Sequence, residues 1–268
     1  MKTRVIAAAV LVPVMLLIVL AAPKIVAAVV FGLLLAIGAY ELLYGTELVR
    51  HPRLVAYSAA MAFAVCLWSY FGAVHAYAVL GILIFFIALF SEMMSDHVKI
   101  RIEMLALCIV AGLVIPYLLS ALIRILMLKV GKYLILIPFV AGFMNDTGAY
   151  FVGIRYGKHK LAPVVSPNKT IEGLLGGLVG RIVGMLLYSL ILMLLNFEVN
   201  FGLAILYGLL ASAAGTFGDL CFSVINRQTG IKDYGNLIPG HGGVLDRFDS
   251  IVTVAPLMEA LLVLLPLV

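Results

Sequence analysis

Charge is what this chain has least of. Only 12% of its 268 residues are Asp, Glu, Lys or Arg, against 65% hydrophobic, where a soluble domain carries about 25% charged residues. That balance excludes an ordinary water-soluble domain, and the mean hydropathy of +1.20 points to a chain that crosses a membrane several times. Cysteine is scarce too. Cys66, Cys108 and Cys221 all lie inside apolar runs with no metal-ligand spacing between them, which excludes a disulfide framework or zinc site and leaves small buried hydrophobes. No GxxxxGK occurs, so there is no P-loop. A net charge of +5 would suit nucleic acid in a soluble protein. In a membrane protein, loop lysines and arginines report topology first, and no nucleic-acid partner is expected.

Long apolar runs fill the space that charge leaves. Stretches able to cross about 30 Å of hydrocarbon fall near 4–22, 25–44, 54–72, 75–91, 103–127, 132–154, 171–195, 202–225 and 250–268. The expected fold is therefore all-α, a polytopic integral membrane protein with about nine transmembrane helices. The opening "MKTRVIAAAVLVPVMLLIVLAAPK" reads as the first of them, with a cleaved signal peptide as the alternative. With the N-terminus inside, 13 of the 18 Lys and Arg residues fall in inside segments. The outside turns keep only Lys24, Lys129 and Lys132. The positive-inside rule then places both polar loops, 155–170 and 226–249, in the cytoplasm.

Polar residues within the spans are unevenly shared. Residues 1–130 hold few, the best being Glu41 in "GAYELLYG", which either snorkels or pairs near a helix end or has a direct role. Residues 131–268 differ. Asp146 precedes Arg155 by nine residues, about 13 Å along a helix, with Asn145, Thr147 and Tyr150 around it. Asp219 precedes Arg227 by eight residues, about 12 Å, with Ser223 one turn on. An ionised carboxylate at such depth costs at least about 2.5 kcal/mol unless paired or wet. Two at matched depth argue for a shared polar cavity; separate neutralisation by protonation or a neighbouring hydroxyl is the bland alternative. Between them, Gly176, Gly180 and Gly184 recur every four residues, a spacing that lets helix backbones approach closely. Glu172, just ahead of these glycines, is either a helix cap or a site residue.

The stretch "LIPGHGGVLDRFDS", residues 237–250, is polar on the threshold of the last apolar run. Asp246 and Asp249 are three apart and share a helical face. With Asp219 they can form a three-carboxylate cluster, whose mutual repulsion of roughly 4 kcal/mol per close pair at an effective dielectric near 20 calls for a cation. Oxygen-only ligands favour Mg2+ over zinc. Arg227, Lys232 and Arg247 lie beside these carboxylates, a pairing of metal and cations that suits a polyphosphate. "PGHGG" offers backbone bare of side chains for close approach to phosphate. His241 within it is either a substrate contact or a structural turn residue.

The same segment resembles the hallmark of the phosphatidate cytidylyltransferase (CDP-diacylglycerol synthase) family. That pattern runs Ser, two residues, Lys-Arg, four residues, Lys-Asp, then Pro-x-His-Gly-Gly-x-x-Asp-Arg-x-Asp. Ser223, Arg227, Lys232, Asp233, Pro239, His241, Gly242, Gly243, Asp246, Arg247 and Asp249 match it at the right spacing. "NDTGAYFVGIRYGKHKLAPVVSPNKTIEG" is similar to the family's second block, and "MKTRVIAA" to its usual start. Two positions depart: Asn226 stands where the pattern has lysine, and Asn168 where a second lysine is common.

The resemblance implies an enzyme that turns CTP and phosphatidate into CDP-diacylglycerol and pyrophosphate, with Mg2+ and room for a second cation. Asp219 and Asp246 would hold the metal, with Asp249 as a further ligand or a support. Lys232, Arg247 and Arg227 would hold phosphates, helped by Lys169. Ser223, His241, Gly242 and Gly243 would contact substrate, and Asp146 would line the cavity. On this reading 1–130 are scaffold helices and 131–268 the catalytic region with its two loops. The expected partners are CTP, phosphatidate and the membrane, and a homodimer is compatible. The expected place is the inner (plasma) membrane, with the site facing the cytoplasm. A CTP-dependent lipid kinase or an ion-coupled transporter are the alternatives.

Overall fold

A computed structural model describes residues 12–72, 75–235 and 242–268. Helices account for most of it. Residues 12–20 form α1, and Pro23 precedes α2 (Lys24–Tyr40), whose end widens into a π-helical turn at Glu41–Gly45. Then follow α3 (Pro52–Phe71) and α4 (His75–Ser95). The fifth run is broken into α5 (Ile102–Ile109), a second π-helical turn (Val110–Val114), α6 (Ile115–Leu119) and α7 (Ala121–Met127). The short α8 (Gly131–Leu134) leads into α9 (Leu136–Tyr156). An antiparallel hairpin of β1 (Lys160–Ala162) and β2 (Ser166–Thr170) comes next, pairing Lys160 with Thr170 and Ala162 with Ser166. The chain closes with α10 (Ile171–Leu194), α11 (Phe201–Thr229), α12 (Leu245–Phe248) and α13 (Ile251–Leu264).

The all-α, polytopic expectation holds. Among the described residues seven helices are long and apolar enough to cross a membrane: Lys24–Gly45, Pro52–Phe71, Ala76–Ser95, Ile102–Met127, Gly131–Tyr156, Ile171–Leu194 and Phe201–Thr229. The first expected span begins outside the described residues. The last, expected over 250–268, is a helix of 14 residues, about 21 Å at 1.5 Å per residue and so short of a full bilayer. The only strands among the described residues are the hairpin, in what the sequence suggests is a plain polar loop.

The chain forms two compact units. One takes the residues up to Lys132 together with Gln228–Phe248; the other takes Tyr133–Arg227 and Asp249–Val268. The polar segment 226–249 is thus shared between them.

In the first unit α2 lies directly on α3. A Cβ at Gly32 would come within 2.8 Å of the Phe63 ring, so the missing side chain sets the spacing. Cys66 donates its thiol to the Ala28 carbonyl at 3.3 Å. It and Cys108 are buried and Cys221 half-buried, and all three are free, as small hydrophobes should be.

In the second unit α9 and α10 pack along the glycine seam. A Cβ at Gly176 would sit 2.5 Å from Val152 Cβ, and one at Gly184 would sit 2.5 Å from Met144 Cγ. At Gly180 it would strike the Met144 carbonyl, and at Gly148, across the seam, the Gly176 carbonyl. The four-residue glycine spacing therefore does what it promises, bringing two backbones into contact. Thr253 of α13 donates to the Ala214 carbonyl of α11 at 2.7 Å, and Tyr207 of α11 donates to the Leu265 carbonyl at 2.9 Å, which fixes α13 against α11 at both ends.

Candidate active site

The second unit carries half of the expected site residues: Asp146, Lys169, Asp219, Ser223, Arg227 and Asp249. Asp219 stands on α11, where Lys169 of β2 forms an ion pair with it. The hairpin carrying Lys169 is tied down from three sides. Arg227 Nε donates to the Val165 carbonyl at 3.0 Å, and Thr170 Oγ1 caps α10 by accepting from Gly173 N at 3.1 Å. Glu172 accepts the backbone N–H of Lys158 at 3.0 Å and lies 2.6 Å from His159 Nδ1. Glu172, open between cap and site from sequence, thus holds the entry of the hairpin. Arg227, expected on phosphate, uses its Nε to hold the hairpin tip.

Asp249 comes between α12 and α13, its carboxylate accepting from Ser250 N at 2.6 Å. Burial, reinforced by the charge of Asp219, pushes its carboxyl up to about 7; the Ser250 N–H opposes the rise, Asp146 adds a smaller push and Lys169 a small pull the other way. Asp146, Lys169, Asp219 and Asp249 are therefore electrostatic neighbours. Asp146 itself accepts from Asn145 Nδ2 at 3.1 Å. Thr147, expected beside it, donates back to the Phe143 carbonyl at 2.8 Å, and Tyr150 is exposed. Ser223, one turn beyond Asp219 on α11, is half-buried.

The first unit holds the other part of the signature. Asp246 Oδ2 accepts two backbone N–H groups, from Gly243 at 2.7 Å and Tyr234 at 2.9 Å. Burial raises its carboxyl above the ordinary aspartate value, against the pull of these two N–H groups. Gly242 has φ +83, and a Cβ there would come within 2.7 Å of Asp246 Oδ2; only glycine takes that backbone freely and clears the carboxylate. Lys232 and Arg247 are exposed. Pro239 and His241 lie outside the described residues.

Beneath this loop is a residue to which sequence gave an open role. Glu41, 4% exposed on the π-helical turn after α2, accepts the backbone N–H of Val244 and of Leu245, each at 3.0 Å. A Cβ at Gly235 would lie 2.8 Å from its Cδ, and one at Gly243 2.5 Å from both oxygens. Gly235 and the backbone of Gly243, Val244 and Leu245 thus surround one buried carboxylate. The only hint in the sequence is the isolation of Glu41 in an apolar run. Arg181 on α10, to which no role is assigned from sequence, is 1% exposed.

Among the described residues no three His, Cys, Asp or Glu side chains lie close enough to cage a metal on their own. Mg2+ is usually held by one or two carboxylates with water and substrate phosphate completing the shell. Asp219 beside Asp249, all oxygen and mutually repelling, is a donor set of that kind.

A sequence profile described as the cytidylyltransferase family matches residues 2–265, nearly the whole chain. The chain belongs to that family. Among curated proteins, it is 43% identical over 133 residues to the phosphatidate cytidylyltransferase of Staphylococcus haemolyticus strain JCSC1435. The identity is 41% to that of Staphylococcus saprophyticus and 42% to that of Staphylococcus aureus strain COL, again over 133 residues. Each match covers 50% of this chain and 50% of the relative, so it spans about half the length of these curated proteins.

Proposed function

We propose that this cytidylyltransferase-family member joins CTP to phosphatidate, giving CDP-diacylglycerol and pyrophosphate. A phosphate oxygen of the lipid attacks the α-phosphorus of CTP. The bond from that phosphorus to the bridging oxygen breaks, and pyrophosphate leaves with the electron pair. The nucleophile is already an anion, so no strong base is needed; the protein must position two polyanions and offset their charge. The observation that carries this reading is the convergence of Asp146, Lys169, Asp219 and Asp249 in a membrane helix unit, Asp249 belonging to the family signature and Asp146 and Lys169 to its second block.

Roles follow from chemistry. By the family resemblance, Asp219 and Asp246 would each offer a carboxylate to Mg2+, Asp249 would be a further ligand, and a second cation is expected beside it. A bound metal would supply positive charge against the negative charge that builds on the phosphates in the transition state. Lys169, which pairs with Asp219, is also placed to meet a phosphate, and Lys232, Arg247 and Arg227 hold the remaining phosphate charge. Ser223, Gly242, Gly243 and His241 contact substrate, and Asp146 lines the cavity. Residues 131–268 carry the catalytic groups and 1–130 serve as scaffold, with Glu41 as the scaffold's hold on the signature loop. The site faces the cytoplasm of a plasma membrane, where loop lysines and arginines gather.

The test is pyrophosphate release by purified protein in detergent with Mg2+ and CTP. Release that requires phosphatidate and yields CDP-diacylglycerol supports the reading. Release of CDP with a phosphorylated lipid, or no lipid dependence, overturns it.

A further inference from the structure

Arg181 is the largest fully buried side chain among the described residues, 1% exposed, in the middle of α10. A guanidinium keeps its proton in proteins, and taking one out of water is costly unless anions face it. Its surroundings are made to receive it. It lies on the bare backbone of Gly215 in α11, where a Cβ would come 2.6 Å from Nη1 and 2.8 Å from Cζ. The charges that act on it are Asp146 of α9 and Asp219 of α11. Asp219 follows Gly215 by one helical turn on the same face. Among the described residues neither Nε nor Nη1 has a hydrogen-bond partner, so the guanidinium is placed by packing and by field rather than by a closed fork to one carboxylate.

We propose that Arg181 is a positioning residue: a fixed counter-ion, built into the membrane interior, that offsets Asp146 and Asp219 while Lys169 meets Asp219 from the hairpin. Three carboxylates then face two cations. The cluster accepts one divalent cation readily and, once it is bound, presents net positive charge to a polyphosphate. Without Arg181 the same carboxylates face Lys169 alone. Free divalent cation binds more tightly and nucleotide binds more weakly, because Coulomb attraction changes in opposite senses for the two ligands. The inference deepens the metal reading above and rests on it.

The experiment measures Mn2+ binding by electron paramagnetic resonance in detergent, without substrate, and KM for CTP, in Arg181→Met and Arg181→Lys. In Arg181→Met, Mn2+ affinity should rise on the order of tenfold while KM for CTP rises by a similar factor; Arg181→Lys should stay near the parent on both. Disturbed packing alone weakens both ligands, so joint weakening, or no change in Mn2+ affinity, overturns the proposal. The double variant Arg181→Met with Asp146→Asn removes a charge of each sign and should bring Mn2+ affinity back to that of the parent; if it stays at the single-variant value, the proposal fails. Should Arg181→Met not fold, the double variant should fold, and a double variant that also fails to fold contradicts the counter-ion role. If Mn2+ affinity shifts as stated but the protein makes no CDP-diacylglycerol, the counter-ion stands and the proposed reaction falls.

Discussion

Glu41 accepts the backbone N–H of Leu245 at 3.0 Å, across 204 positions of sequence. A carboxylate on the second helix thus fixes the start of α12, one residue before Asp246. Its other oxygen does the same for Val244. Glu41→Ala leaves two buried N–H groups unsatisfied, each costing about 1–3 kcal/mol. The expected outcome is a clearly lower melting temperature and faster proteolytic cleavage within 228–248. Glu41→Gln keeps the shape but turns an amide N–H toward a backbone N–H, and should lie between. Cleavage and melting unchanged in Glu41→Ala would remove the anchor from the account.

The seam between α9 and α10 makes a second claim. A Cβ at Gly180 would strike the Met144 carbonyl, and backbone does not yield as a flexible side chain does. Gly180→Ala should destabilise the protein by about 1–3 kcal/mol, read as a drop in the detergent melting temperature. At Gly142 nothing lies within 4 Å of an added Cβ, so Gly142→Ala is the control and should melt like the parent.

Asp249 supplies a pH dependence. Burial and the neighbouring carboxylates raise its carboxyl from 3.8 to about 7, so the folded chain holds a proton that the unfolded chain gives up. Its contribution to stability is fully present below pH 3.8 and is lost as pH rises through about 7. Protein stripped of divalent cations should therefore melt lower at pH 8 than at pH 6. Mg2+ should recover more stability at pH 8 than at pH 6, since cation and proton compete for the same charge, and Asp249→Asn should flatten the difference.

Much of this molecule is written in local pattern. The run expected over 54–72 is the helix Pro52–Phe71, and that expected over 171–195 is Ile171–Leu194, because apolar length alone determines what can cross a bilayer. The glycines of α10 were legible for the same reason: their period is local. The hairpin was not. "KLA" and "SPNKT" lack apolar alternation, a proline stands in the second, and the pair is held in place by Arg227 and Glu172 outside it and by the capping of α10 through Thr170. The last helix stops at Leu264, where Leu265 leaves helical geometry, although the apolar run continues. Glu41 and Arg181 show the limit most clearly. Each reads as an isolated charge in a greasy span, and what it does depends on residues distant in sequence, Val244 and Leu245 for one and Gly215 for the other.

The central claim of the proposed function is that Asp219 and Asp246 are each required for Mg2+-dependent transfer of a cytidylyl group to lipid. The direct measurement is phosphatidate-dependent pyrophosphate release from CTP by Asp219→Asn and Asp246→Asn, each checked for a parent-like fold by melting. The account predicts that each substitution lowers the rate by at least about 10²-fold, and that added Mg2+ restores neither. Parent-level release by either variant would contradict it.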